Sequence, residues 1–162
     1  MRRMMTDGLR GGLPVRKWLF RLINFPPRFL YAIGLGPLHG RVVLLLTTRG
    51  RRTGKLRITP LQYEEIGSDI VVGSARGVAA DWYRNIAADP HVEVRVRRRR
   101  FTGIANTSTD PAEIAEFLEL RLRRHPRMVG RIMRIRGVPA DPTRSDLEAY
   151  ARGSAMVTIT PR

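Results

Sequence analysis

A small antiparallel β-barrel of about six strands with helical insertions is the fold this sequence predicts. Short aliphatic and β-branched runs at 41–48, 55–66, 70–75, 91–96, 101–108 and 154–160 are punctuated by glycine, proline and charged turns. Helical periodicity is confined to a few segments, chiefly 77–90 and 109–126. A chain of 162 residues suffices for one compact domain with a real core.

Residues 1–13 are basic and glycine-containing and read as a loose arm. Val15, Trp18, Leu19, Leu22 and Ile23 share one helical face, with Arg16, Lys17 and Arg21 elsewhere. "FPPRF" (25–29) ends that helix, because proline lacks the amide donor and restricts its predecessor. A second short apolar helix, Phe29 to Leu35, stops at Gly34–Pro37. The division is therefore a basic, amphipathic N-terminal segment at 1–40 and a barrel at 41–162.

"RVVLLLTT" (41–48) reads as a buried strand, "RGRRTG" as a turn and "KLRITPLQYEEI" (55–66) as the return strand. Pro60 predicts a bulge or an edge there, since it cannot donate to a ladder. "IVVGSA" (70–75) is the third strand. "GVAADWYRNIAADP" (77–90) predicts one helix, with Trp82, Asn85, Ile86 and Asp89 on one side. "HVEVRV" (91–96) alternates as a half-buried strand, Arg97–Arg100 forms a charged hairpin tip, and 101–108 is the next strand.

Thr109 or Asp110, followed by Pro111, caps a helix to residue 126 whose apolar face is Ile114, Phe117, Leu118 and Leu122. Residues 127–136 predict a second basic helix, with Met and Ile residues as a core or lid face. "VPADPTRSD" (138–146) reads as a loop and 154–160 as the final strand.

Thirty basic residues against fourteen acidic leave a net charge of +16. Such a field attracts nucleic acid, anionic lipid or a polyanionic small molecule. Lys17 and Lys55 are the only lysines, so the charge is carried by arginine, a bias that a GC-rich genome would also produce. Absent cysteines exclude disulfides, thiolate–metal sites and Cys nucleophiles. His39, His91 and His125 lack metal-ligand spacing, and no HExxH, GxSxG or phosphate-loop motif occurs, so no metal is expected. An enzyme built from these residues would draw its chemistry from a cofactor. The N-terminus lacks the apolar core of a secretory signal, and no apolar run reaches ~18 residues. The expected location is cytoplasmic, extending to the periphery of the inner membrane face.

"TTRGRRTGKLRITPLQY" (47–63) sets Arg51, Arg52, Lys55 and Arg57 around a tight turn. A solvated hairpin tip needs only the glycines; the added charge points to an anion. Together with "IVVGSARG" and "DWYRNIAADPHVEVRV", this stretch resembles the deazaflavin-dependent nitroreductase family across roughly residues 41–108.

The resemblance implies a split β-barrel, of the type that binds FMN, and coenzyme F420 (an 8-hydroxy-5-deazaflavin) as cofactor, with FMN the lesser candidate. It assigns Arg51, Arg52, Thr53 and Arg57 to the cofactor's phosphate and oligoglutamate tail. Ile58, Thr59, Pro60, Leu61 and Gln62 would run along the ring. Gly73, Ser74, Ala75 and Arg76 would close on ring and phosphate, and Asp81, Trp82, Tyr83, Arg84 and Asn85 would pack beside tail and ring. Ser74 and Tyr63 are the hydroxyl candidates for a proton donor. Nitroreducing relatives carry a serine where Ala75 aligns and a tyrosine where Gln62 aligns, which puts acceptor choice in question.

The leading functional expectation is an oxidoreductase passing hydride from reduced F420 to a quinone, an activated enone or a nitroaromatic, as a monomer or homodimer. The alternatives are a non-catalytic split-barrel binder of flavin, haem or a fatty acyl ligand, and, from charge alone, a nucleic-acid-binding protein. Trp18, Phe20, Phe25, Phe29 and Tyr31, interleaved with arginine in 15–35, also suit an anionic membrane surface, a helix packed on the barrel or a dimer contact.

Overall fold

A computed structural model describes residues 43–162. The helices expected within 15–35, their membrane or dimer contact, and the first two residues of the first strand lie outside the described residues.

Val43–Arg49 forms β1, Leu56–Gln62 β2, Glu64–Ile66 β3 and Asp69–Ser74 β4. A 3-10 turn at Gly77–Ala79 precedes helix α1, Asp81–Ala88. Strands β5 (His91–Val96) and β6 (Arg99–Ser108) make a hairpin. Three helices follow, α2 (Pro111–Arg124), α3 (Pro126–Ile135) and α4 (Arg144–Ala151), and β7 (Ala155–Pro161) ends the sheet.

The sheet runs in the order β2-β1-β5-β6-β7-β4-β3, and every pairing is antiparallel. Its two edge strands, β2 and β3, are consecutive in the chain and separated only by Tyr63. One polypeptide thus leaves the sheet at one edge and re-enters at the other. The sheet must curl until those edges meet, which yields a split barrel rather than an open layer. The expected return strand at 55–66 is accordingly two strands, and the sheet has seven. Pro60 sits opposite Leu45 on β2, an edge strand, the setting in which a residue without an amide donor is tolerated.

Alternation fills the barrel. Leu44 and Leu46 of β1, Val92, Val94 and Val96 of β5, Val157 and Ile159 of β7, and Ile70 and Val72 of β4 point inward and are buried. Trp82, Tyr83 and Ile86 of α1 join the same cluster. Each such side chain contributes roughly 1.5–3 kcal/mol by leaving water. A second cluster joins Ala115, Val129, Met133, Val138 and Leu147, so α2, α3 and α4 share a small core of their own. Met128 and Met133 are packing residues of that core, as expected of the Met-rich face.

Three boundaries differ from the sequence expectation. The helix expected at 77–90 is broken at Ala80, whose extended backbone (φ −68°, ψ 131°) separates the 3-10 turn from α1. Gly77 enters that turn at φ +53°, and a Cβ there would meet the Gly153 carbonyl oxygen at 2.5 Å. Close approach of the segment before β7 thus reserves the start of the 3-10 turn for glycine. Helix α4 begins inside the stretch read as a loop, and Thr143 and Asp146 form a reciprocal capping box at its start. The charged tip is only Arg97–Arg98, since Arg99 and Arg100 pair with Val96 and Arg95 in the ladder. At α2 the expected cap is present: Asp110 accepts from the Ala112 amide at 2.8 Å, with Pro111 in the first turn.

Candidate functional site

The β1–β2 turn is fixed by its own backbone. The Gly50 amide donates to the Lys55 carbonyl at 2.8 Å, and the Thr53 and Gly54 amides donate to the Gly50 carbonyl at 3.2 and 2.7 Å. Gly54 takes φ +67°, a conformation that a Cβ disfavours.

Arg51 ties this turn to α1. Its amide donates to Asn85 Oδ1 at 3.2 Å, and Nη1 reaches Asn85 Oδ1 and Asp81 Oδ1 at 3.1 Å each. Nη2 also donates to Asp81 Oδ1 at 3.1 Å. Asn85 extends the connection inward, its Nδ2 donating to Thr48 Oγ1 at 3.3 Å. Asn85 and Thr48 are only 4% and 1% exposed, so the relay from β1 through α1 to the turn is shielded from water. The hydrogen bond from Arg51, then its charge, holds the Asp81 carboxyl below its usual range; Arg84 and Arg76 act in the same direction.

Between the turn, β2 and the start of α1 lies a cleft of about 430 Å³. It is lined by Gly50, Arg51, Arg52, Thr53, Arg57, Ile58, Thr59, Asp81, Trp82 and Asn85. Arg52, Lys55 and Arg57 are exposed, and none has a charged or hydrogen-bonding side-chain partner among the described residues. The site therefore pairs a rigid, Arg51-anchored base with free guanidinium groups. Such groups match phosphate and carboxylate oxygens bidentately.

The cleft brings together Arg51, Arg52, Thr53, Arg57, Ile58 and Thr59 of the first motif with Asp81, Trp82 and Asn85 of the helix motif. It does not include Pro60, Leu61 or Gln62, which continue along β2. Gln62 Oε1 instead accepts from Arg121 Nη2 at 2.7 Å. Gly73, Ser74, Ala75 and Arg76 lie outside the lining as well, and a Cβ on Gly73 would touch Phe117 at 3.4 Å. Tyr83 is buried in the core, edge-on to Trp82 at 6.1 Å between centroids, and Arg84 Nε donates to the Val78 carbonyl at 3.0 Å.

Neither hydroxyl candidate faces the cleft. Ser74 is buried and donates a hydrogen bond to the Gly77 carbonyl at 2.7 Å, which fixes the backbone there. Tyr63 belongs to the barrel core, where burial pushes its phenol above the ordinary tyrosine range against the pull of Arg97.

Sequence reasoning missed the network that seats α2 against the strand switch. Glu64, 4% exposed, faces Arg121 Nε at 3.3 Å, Arg124 Nη1 at 3.2 Å and His125 Nε2 at 3.2 Å. Burial pulls the Arg121 guanidinium below the usual arginine range, while Glu64 opposes that pull. The available signal was "YEE" at a strand end and "RLRRH" at a helix end, but nothing local pairs them. Among the described residues no group of His, Asp or Glu could hold a metal ion, and no helix is long and apolar enough to cross a membrane.

A curled seven-stranded antiparallel sheet whose edge strands are consecutive in the chain defines the split-barrel class of fold. An F420 reductase structure superposes with a TM-score of 0.50 at 18% identity, covering 75% of this chain and 87% of that one. The haem storage protein HutZ of Vibrio cholerae superposes at 0.52 with 12% identity, covering 85% and 89%. Likeness at those identities is one of fold. The family of F420H(2)-dependent quinone reductases matches residues 32–138, and the chain belongs to that family. An F420H(2)-dependent quinone reductase of Mycobacterium tuberculosis strain H37Rv is 36% identical over 61 residues, which are 36% of this chain and 41% of the relative. A second protein of that strain, provisionally assigned the same activity, is 36% identical over 76 residues, 44% of this chain and 64% of the relative. The matches thus span less than two-thirds of these relatives' lengths.

Proposed function

We propose that this protein is an oxidoreductase that uses coenzyme F420 and reduces a quinone-type acceptor, with activated enones and nitroaromatics as further acceptors of the same electronic kind. The supporting observation is the cleft at the β1–β2 turn, where free cations stand over a pre-organised base in a chain of this family. A tail of phosphate and carboxylates requires several cations spread along a groove; Arg52 and Arg57 line this one, and Lys55 is exposed on the same turn. The donor set fits the cofactor.

In this reading Arg52 and Arg57 hold the tail's anionic oxygens, and the Thr53 hydroxyl adds a neutral donor. Arg51 acts chiefly as a post: its contacts with Asp81 and Asn85 keep the turn in place before the cofactor arrives, which lowers the ordering cost of binding. Trp82 and Ile58 add to the cleft lining apolar surface suited to a flat ring. The bound deazaflavin would supply hydride from C5 of its ring. The protein contributes position, exclusion of water and charge. With Ser74 committed to Gly77, the proton for the reduced acceptor comes from solvent.

The test is titration of purified protein with F420, followed by cofactor fluorescence and by retention on a size filter. Saturable binding at micromolar protein, reduced at least about a hundredfold in R52Q/R57Q, supports the reading, since charge-assisted hydrogen bonds contribute ~1.5–3 kcal/mol each. Absence of binding, or equal binding by the variant, refutes it. Oxidation of reduced F420 by menaquinone, an enone or a nitroaromatic then ranks the acceptors.

A further inference from the structure

Helix α3 carries a second cationic surface, separate from the cleft. Arg127, Arg131 and Arg134 recur at i, i+4 and i+7 and share one exposed face. None has a charged or hydrogen-bonding side-chain partner among the described residues. Like charges at this spacing repel, so the fold carries an unfavourable row that nothing described here neutralises.

The opposite face is already occupied, since Val129 and Met133 are buried in the three-helix core. Along one flank of the arginine row run Met128 and Ile132, both half-buried, and then Ile135, which is 78% exposed. Ile135 follows Arg131 by one turn, so a large aliphatic side chain sits beside the cations in open solvent. A polyanion such as nucleic acid would use the arginines and leave the isoleucine idle. A phospholipid surface uses both, headgroup phosphates meeting guanidinium groups while the aliphatic flank meets the acyl boundary.

We propose that the outer face of α3 docks the protein on anionic phospholipid headgroups. The contact is peripheral: the helix stays packed on α2 and α4 and only its rim engages lipid. This surface is distinct from residues 15–35, and it stands independently of the redox reading. It also has a consequence for that reading. Arg136, just beyond the C-terminal end of α3, has Nη1 at 3.5 Å from the Ala75 carbonyl and 3.0 Å from Tyr150 Oη. Docking through α3 would hold the 73–76 segment close to the lipid phase, where a lipophilic acceptor resides.

The experiment is co-sedimentation of the full chain with vesicles of phosphatidylcholine alone and of phosphatidylcholine with phosphatidylglycerol, at low and high salt. Expected is binding to the anionic vesicles only, weakened about a hundredfold in R127Q/R131Q/R134Q, at roughly a factor of five per arginine near a charged surface. Ile135→Ser should remove the part of binding that survives high salt. A control, R95Q/R98Q/R152Q, removes the same charge from exposed arginines elsewhere and should retain binding. Circular dichroism confirms that the exposed-site variants keep their fold. The proposal is overturned if the wild type ignores anionic vesicles, or if the control loses as much as the α3 variant. It is overturned likewise if the α3 variant keeps its vesicle binding while losing affinity for a short DNA duplex. F420 titration of the same proteins reads the cleft separately, so failure of one proposal is not mistaken for failure of the other.

Discussion

Asn85→Ala tests the buried relay that sets the cationic turn. Asn85 makes three polar contacts: to Thr48 Oγ1 at 3.3 Å, to the Arg51 amide at 3.2 Å and to Arg51 Nη1 at 3.1 Å. Truncation leaves the Thr48 hydroxyl, 1% exposed, without that donor. An unsatisfied buried polar group costs ~1–3 kcal/mol, and the two part-buried contacts add ~1 kcal/mol together because water can replace them. The expected loss is therefore about 3 kcal/mol. For a chain of this size it would lower the melting temperature by about 6–12 °C.

The mechanism is separable from simple truncation by a double-mutant cycle with Thr48→Val, measured by urea unfolding. If the two side chains serve each other, the double variant no longer strands a polar group and is more stable than the sum of single losses by about 1–2 kcal/mol. The Arg51 amide also loses its acceptor, so affinity for F420 should fall about tenfold in N85A with Arg52 and Arg57 intact. Additivity within ~0.5 kcal/mol, or full cofactor affinity in N85A, would refute the relay.

Other expectations follow from the same contacts. Glu64→Ala strands Arg121 in a largely buried position and should cost ~3–5 kcal/mol, read as a drop in urea midpoint; a loss under ~1 kcal/mol would show the cluster to be solvated. Arg51→Gln should return the Asp81 carboxyl toward its ordinary value, seen in the carboxyl carbon shift during an NMR titration. The sign is that of a depressed carboxylate: the stability it contributes is present above the ordinary value and lost as pH falls through the lowered one, and the variant should lack that acid-side loss. Tyr63 has the reverse sign. Its raised pKa means the neutral phenol is the form the fold favours, so its contribution holds below the ordinary tyrosine value and fades as pH rises through the raised one. The ultraviolet titration difference between wild type and Y63F should show a phenol ionising above the ordinary tyrosine range, and a difference centred at or below that range would contradict its burial.

Alternation and punctuation were enough to place the strands of this protein, because a half-buried strand writes its burial into every second residue. "HVEVRV" is such a case, and its bounds agree with β5. Pro60 announced an edge by chemistry alone, and Asp110–Pro111 announced a helix start. The concentration of arginine at 51–57 marked the candidate site, since backbone bonds close the turn without those side chains. Local sequence could not show which arginine is free. Arg51 and Arg52 are neighbours of one type, yet only tertiary packing brings Asp81 and Asn85 to the first and leaves the second open. Ser74 reads as a proton donor in the sequence, but the fold sets the Gly77 carbonyl where it accepts that hydroxyl's hydrogen bond. Glu64 and Arg121 are far apart in the chain, and their pairing exists only because the strand switch at Tyr63 carries one beneath the helix that bears the other. Periodicity records which side of an element faces inward; partners distant in sequence are chosen by topology, which no single stretch encodes.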